Sequence, residues 1–414
     1  MLSLLVALIP LSLSVSGYRI KALPAALLFL AGLALLASCR QTRASYRAAW
    51  PVVLAALLTI GFVIVNVLIH QLGWRPLDWP AHILLYLVIA AAFTRPLNMR
   101  LVWGGFSLSL IVLGAACIAQ HHLFGIERAY GLSGGTSASI EQATVLLGLS
   151  LAALARLLDS RNSGPEKLLH LTALAFGIYG ALLTQSRGPL LAFVPMFVLL
   201  VLLHARQSGR WRSSLLLIGA ACAVAAVATF SARDKMVERF EAIAPEIASV
   251  DQHEGESGSV RERLEMWRIA GRAFSEHPLA GIGMNQFDDY AHRQIAAGES
   301  TPVIARYNQP HNQYLEAAST GGVPGLLVLL MVFLMPLRYF IRHAGHTDEA
   351  VRLPAHVGLA LIGLYMLCAF TDSVFYRVMP QSLYFFMVLG MALRIGWLTS
   401  QASLPDGSTD AHRD

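Results

Sequence analysis

Apolar blocks recur along the whole chain, separated by short polar breaks. They run near 2–15, 23–37, 52–69, 81–93, 102–118, 143–157, 168–183, 189–203, 214–230, 315–335, 355–370 and 380–398. A helix needs about 20 mostly apolar residues to cross a hydrocarbon core of about 30 Å. The pattern therefore predicts an all-α polytopic membrane protein with about 12 transmembrane helices. The blocks are continuous, as in 190–203, rather than short strands of alternating polarity, and this excludes a transmembrane β-barrel.

Composition sharpens that picture. With 56% hydrophobic residues, 14% charged residues and a mean hydropathy of +0.57, the 414-residue chain is not a water-soluble enzyme. Its formal charge of +6 is spread over short loops with no dense basic run, so it points to membrane topology rather than nucleic acid. Cys39, Cys117, Cys222 and Cys368 lie in or beside apolar blocks and form no CxxC pair, so neither disulfides nor zinc are expected. The N-terminal block has no basic run ahead of it and no small-residue cleavage site, and is expected to remain as a first helix.

Positive charge orients the bundle, because Lys and Arg in short loops accumulate on the cytoplasmic side. With the N-terminus inside, cytoplasmic loops hold 14 Lys and Arg residues against 6 in the opposite short loops, which predicts both termini in the cytoplasm. Residues 1–230 would then form the first nine helices and 313–400 the last three. Between them, 231–312 would be one large outer loop domain, with 9 basic and 13 acidic residues. Its aromatic residues and helical stretches predict a small folded cap; 251–259 is expected to be its most mobile part, and 401–414 a disordered cytoplasmic tail.

The spans are nearly free of charge, so a site is expected at the outer rim, where three constellations stand out. Thr184-Gln185-Ser186-Arg187-Gly188-Pro189 joins two apolar helices. Arg187 there suits a phosphate, to which its planar fork donates two parallel bonds, and it also suits snorkelling to water. Arg261-Glu262-Arg263-Leu264-Glu265-Met266-Trp267-Arg268 is amphipathic; one arginine could clamp phosphate, or the glutamates could neutralise them all. His277 precedes a Pro278 turn whose Gly281 and Gly283 could let backbone approach a substrate, with His277 itself read as a surface residue. Where the loop re-enters the membrane, His311 could take a proton from a sugar hydroxyl while Asn312 orients it, or both could cap the next helix. Gly321-Gly322-Val323-Pro324-Gly325 is expected to break that helix.

In this order, the three constellations resemble the O-antigen ligase and polymerase superfamily. The matching residues are Ser186-Arg187-Gly188; Arg263 to Trp267 with His277 to Gly283; and His311-Asn312-Gln313-Tyr314-Leu315-Glu316 with the Gly322-to-Gly325 turn. The resemblance implies an inverting, metal-independent membrane glycosyltransferase of the GT-C type without cofactor, in the bacterial inner membrane and with a periplasmic active site. Its donor would be an undecaprenyl-diphosphate-linked glycan and, for a ligase, its acceptor the lipid A–core. Arg187 and Arg263 would bind the diphosphate, with Arg261 the alternative to Arg263, and His311 would be the base. Asn312, Gly188, Trp267 and Tyr314 would support the site. An O-antigen polymerase or a protein O-oligosaccharyltransferase shares these motifs. A lipid-linked glycan flippase is the reading from another class, and it would need a polar route through the spans.

Overall fold

A computed structural model describes residues 1–15, 22–132, 138–219 and 259–402. Among the described residues the chain is helical, with no strand. Helix α1 is Leu2–Ser14, α2 Leu23–Ser38, α3 Arg40–Ala48 and α4 Trp50–Ile69. Helix α5, Asp78–Ile89, is extended by 3₁₀ turns at Arg75–Leu77 and Ala90–Thr94. Then follow α6 Met99–His122, α7 Ser139–Leu158, α8 Gly164–Leu183 and α9 Arg187–Ser208. Helices α10 (Ser259–Glu276) and α11 (Phe287–Ala296) belong to the cap, and α12 (Gln313–His343), α13 (Glu349–Cys368) and α14 (Val378–Ala402) complete the bundle.

Nine of these helices are long and apolar enough to cross a membrane, or ten if the bent α2–α3 pair is one span, among the described residues. The polytopic helical architecture is therefore present. The expected twelve are not all accounted for: α1 has only 13 residues, and the block at 214–230 lies outside the described residues beyond 219. The expectations for 251–259 and 401–414 also fall almost wholly outside them. Arg40, Arg43 and Arg47 sit on the amphipathic helix α3, which turns by 96° from α2 and is pinned by the buried Thr42–Thr94 hydroxyl pair at 2.8 Å.

Helix starts follow their capping residues. Asn98 accepts from Leu101 N at the head of α6, Ser163 and Glu166 form a capping box on α8, and Asp348 accepts from Ala350 N on α13, each satisfying amides the helix leaves open. Packing then sorts the helices. The α14 window is 89% buried and the α7 window 83%, whereas those of α8 and α9 are 33% buried, so the first pair forms the bundle centre and the second its lipid-facing flank.

The cap has its own small core, formed by Met266, Ile269, Ala270 and Ala273 of α10 with Phe287, Tyr290, Ala291 and Ile304. Each large apolar side chain withdrawn from water contributes about 2 kcal/mol. A core of eight side chains gives limited stability, and the cap leans on the bundle. The turn after α10 docks on the break in α12: Val323 N donates to Pro278 O at 2.7 Å, Ile282 N to Ser319 O at 2.9 Å and Gly283 N to Thr320 O at 3.1 Å. Gly322, at φ 64° and ψ −159°, adopts a conformation essentially restricted to glycine. Asn66 of α4 completes the joint, donating to Thr320 O at 3.2 Å and accepting from Met284 N at 2.9 Å. Helix α12 can break at membrane depth because its freed backbone groups find partners in protein. At Gly281 the close approach is to the broken helix, because a Cβ there would strike the Thr320 carbonyl. His277 is exposed, as expected.

Candidate active site

The three constellations come together at the cap end of the bundle. Three residues separate α8 from α9, and Arg187 is the first residue of α9, exposed and paired with no carboxylate among the described residues. Gln185 in this turn has φ 55°, a left-handed conformation that costs a non-glycine residue roughly 1 kcal/mol. Gly188 has a steric reason to be glycine: a Cβ there would collide with Thr371 Oγ1. The Arg187 turn is thereby pressed against the loop joining α13 to α14.

His311 meets the same loop from the other side. Its Nδ1 lies 2.9 Å from Asp372 Oδ1, one residue beyond Thr371, and Asp372 is only 3% exposed. A carboxylate accepts, so this contact assigns the proton to Nδ1 and leaves Nε2 as the basic nitrogen. His311 is also left-handed, at φ 50°. Strain of this kind persists where surrounding contacts over-determine the conformation, as at many functional sites. Here those contacts are Asp372 and the Tyr307 ring, set edge-on at 5.6 Å.

Neighbouring residues hold this turn. Asn312 caps α12, accepting from Tyr314 N at 3.0 Å and Leu315 N at 3.1 Å, and donates weakly to Phe370 O at 3.4 Å. The capping alternative therefore describes Asn312 but not His311. Tyr314 donates to Met366 O at 2.9 Å and packs its ring on Phe370 at 4.7 Å, tying α12 to α13. Trp267 donates from Nε1 to Pro310 O at 3.1 Å, so one face of α10 rests on the residue before His311.

That contact distinguishes the two candidate arginines. Arg263 is one helical turn from Trp267 and shares its face, whereas Arg261 is about a third of a turn off it. Arg263 is exposed and pairs with no carboxylate among the described residues; Arg261 is 7% exposed. Of the other cap arginines, Arg268 pairs with Glu265 at 2.8 Å, Arg272 with Glu276 at 2.8 Å and Arg306 with the buried Glu262 at 2.5 Å, while Arg293 lies over the Tyr290 ring at 5.6 Å. Burial, helped by a hydrogen bond to Glu262, raises the Tyr307 hydroxyl above its ordinary value. The same Glu262 carboxylate holds Arg306 in its charged form.

Two residues near the site are not among the site residues expected from the sequence. Asp372 is 61 positions from His311; its only sequence signal is a carboxylate between two apolar blocks. Arg128 donates from Nε to Thr184 O at 3.0 Å and from Nη2 to Ser186 Oγ at 3.5 Å, bringing a second exposed guanidinium to the Arg187 turn. Among the described residues no group of three or more His, Cys, Asp or Glu side chains is placed to hold a metal ion.

A cavity of about 230 Å³ opens where cap, α5, α12 and α14 meet. Trp79, Phe375 and Tyr376 line it together with Gln313 and Glu316. Glu316 is 6% exposed, and its Oε2 has no hydrogen-bond partner among the described residues.

Fold and site define a polytopic helical membrane protein with a carboxylate-oriented imidazole and exposed arginines gathered at one end. Residues 172–330 match the family model Wzy_C, described as O-antigen ligase, so this segment is similar to the O-antigen ligase family. The match runs from α8 through the Arg187 turn and the cap to the second half of α12. The family suggests a membrane glycosyltransferase-like enzyme. The chain is also similar to an uncharacterized protein of Haemophilus influenzae, at 21% identity over 283 residues, which covers 68% of this chain and 70% of the relative.

Proposed function

We propose that this protein is an O-antigen ligase of the GT-C type. It transfers a glycan from undecaprenyl diphosphate to the lipid A–core at the periplasmic face of the inner membrane, with both termini in the cytoplasm and without a metal ion. The observation that carries the reading is the His311–Asp372 contact at 2.9 Å, on a turn that shares the Thr371–Asp372 loop with Gly188, the residue after Arg187.

In this mechanism the acceptor hydroxyl gives its proton to His311 Nε2 as its oxygen attacks the anomeric carbon. The glycosidic C–O bond breaks on the opposite face, its electron pair leaves with the diphosphate, and the configuration inverts. Asp372 holds the ring and stabilises the imidazolium that forms. Arg187 and Arg263 stabilise the negative charge growing on the leaving diphosphate. The cavity at Trp79 and Glu316 suits the acceptor sugar, because aromatic faces stack on sugar rings and an unpartnered carboxyl oxygen can hydrogen-bond sugar hydroxyls.

Reconstitution tests this directly. Purified protein in liposomes, given undecaprenyl-diphosphate glycan and lipid A–core with a chelator present, is expected to yield glycan-capped lipid A–core. A product made only when a second glycan-lipid is supplied would make the protein a polymerase, and abolition by the chelator would remove the metal-free mechanism. Separately, Glu316→Gln should raise KM for the acceptor up to about tenfold with little change in kcat, the mark of lost uniform binding. An unchanged acceptor KM would take the cavity out of the acceptor path.

A further inference from the structure

The end of the bundle away from the cap holds a second cavity, of about 250 Å³, between the start of α6, the end of α7, the start of α13 and the last third of α14. Arg100, Arg156, Arg161 and Arg394 line it, against the single carboxylate Asp159. Arg100 and Arg161 stand at the mouth, with side chains 77% and 53% exposed, and reach Glu166 at 3.6 Å and Glu349 at 3.0 Å. Arg156 and Arg394 form the back wall, 7% and 8% exposed.

The two rear arginines are incompletely satisfied. Arg156 donates from Nη1 to Asp159 at 2.6 Å and from Nη2 to Asn162, while its buried Nε has no partner among the described residues. Arg394 donates from Nη1 to Arg95 O at 2.9 Å and lies over the Trp397 ring at 4.4 Å, but pairs with no carboxylate among the described residues. A cation withdrawn from water without a counter-charge is costly, and an anion in the cavity removes that cost.

We infer that this hollow binds a phosphate group, supplied either by the headgroup of an anionic phospholipid or by a soluble phosphate ester. Guanidinium forks match phosphate oxygens in geometry, and basic pockets between spans near a membrane surface are suited to phospholipid headgroups. Trp103, Met99, Leu353 and Pro354 add an apolar side to the cavity, which suits the glycerol and first acyl carbons of a lipid. The inference is independent of the transfer reaction, since all four arginines lie at the opposite end of the spans from His311.

Native mass spectrometry and thermal unfolding of the full chain in detergent test it, with phosphatidylglycerol, phosphatidylcholine and inorganic phosphate as separate probes. Phosphatidylglycerol is expected to be retained and to raise the Tm where phosphatidylcholine does neither. Inorganic phosphate giving the same Tm rise, with no preference for phosphatidylglycerol, would assign the site to the soluble anion. Arg394→Gln and the exposed Arg100→Gln should each weaken phosphatidylglycerol about tenfold, whereas Arg206→Gln, on an exposed residue of α9, should not. Equal retention of the two lipids with no effect of phosphate, or wild-type binding by Arg394→Gln, overturns the inference.

Discussion

His311→Ala is expected to lower glycan transfer by about 10² to 10⁴-fold, the range a positioned general base contributes, while donor binding stays near wild type. The separation follows from geometry. His311 Nδ1 is committed to Asp372 at 2.9 Å, so Nε2 alone is free, and in the proposed reaction it touches the acceptor hydroxyl rather than the diphosphate. Single-turnover transfer and donor binding by purified variants measure the two effects apart. Asp372→Asn should also lose much of the rate, because an amide can hold the ring in the wrong tautomer and no longer stabilises an imidazolium. A control comes from the backbone. Since His311 has φ 50°, His311→Gly relieves strain that His311→Ala retains, and should be the more stable variant while remaining inactive. Wild-type transfer by either variant would remove the base from the mechanism.

The second large effect is expected at the arginines. Arg187→Ala should reduce transfer by about 10² to 10³-fold, comparable with removing one fixed donor from a developing anion. Arg187→Lys should recover only part of it, because an ammonium lacks the two-pronged fork. Arg187 is exposed at the head of α9, so the Tm should hardly move. The α10 pair should split. Arg263→Ala, on the Trp267 face, is expected to impair transfer with the fold intact, whereas Arg261→Ala, at a site 7% exposed, should lower Tm first. The reverse pattern would put Arg261 at the diphosphate and turn a different face of α10, about a third of a turn away from Trp267, toward the donor.

Two motifs were readable because their reasons are local. The turn between α8 and α9 follows from two apolar runs meeting at Ser186-Arg187-Gly188, and the break in α12 follows from paired glycines before Pro324. Other assignments needed neighbours. Gly188 reads in sequence only as part of the turn motif but is explained by Thr371, which lies 183 positions later. Gly281 reads as room for a substrate, yet the backbone it meets belongs to α12. The three arginines of α3 show topology as charges in a loop would, and only the 96° bend reveals that they ride a helix.

The amino-acid order alone determined that the chain is helical and membrane-spanning and that three polar constellations lie between Gln185 and Glu316, because hydropathy and turn chemistry act over a few neighbouring residues; the family resemblance then put forward Arg187, Arg263 or Arg261, and His311. Tertiary structure decided which candidates share a face and which carboxylate serves the imidazole. It also exposed the arginine-lined hollow at the far end, built from Arg100, Arg156, Arg161 and Arg394. Such pairings arise when helices distant in sequence pack side by side, and no local period in the chain encodes which of them will meet.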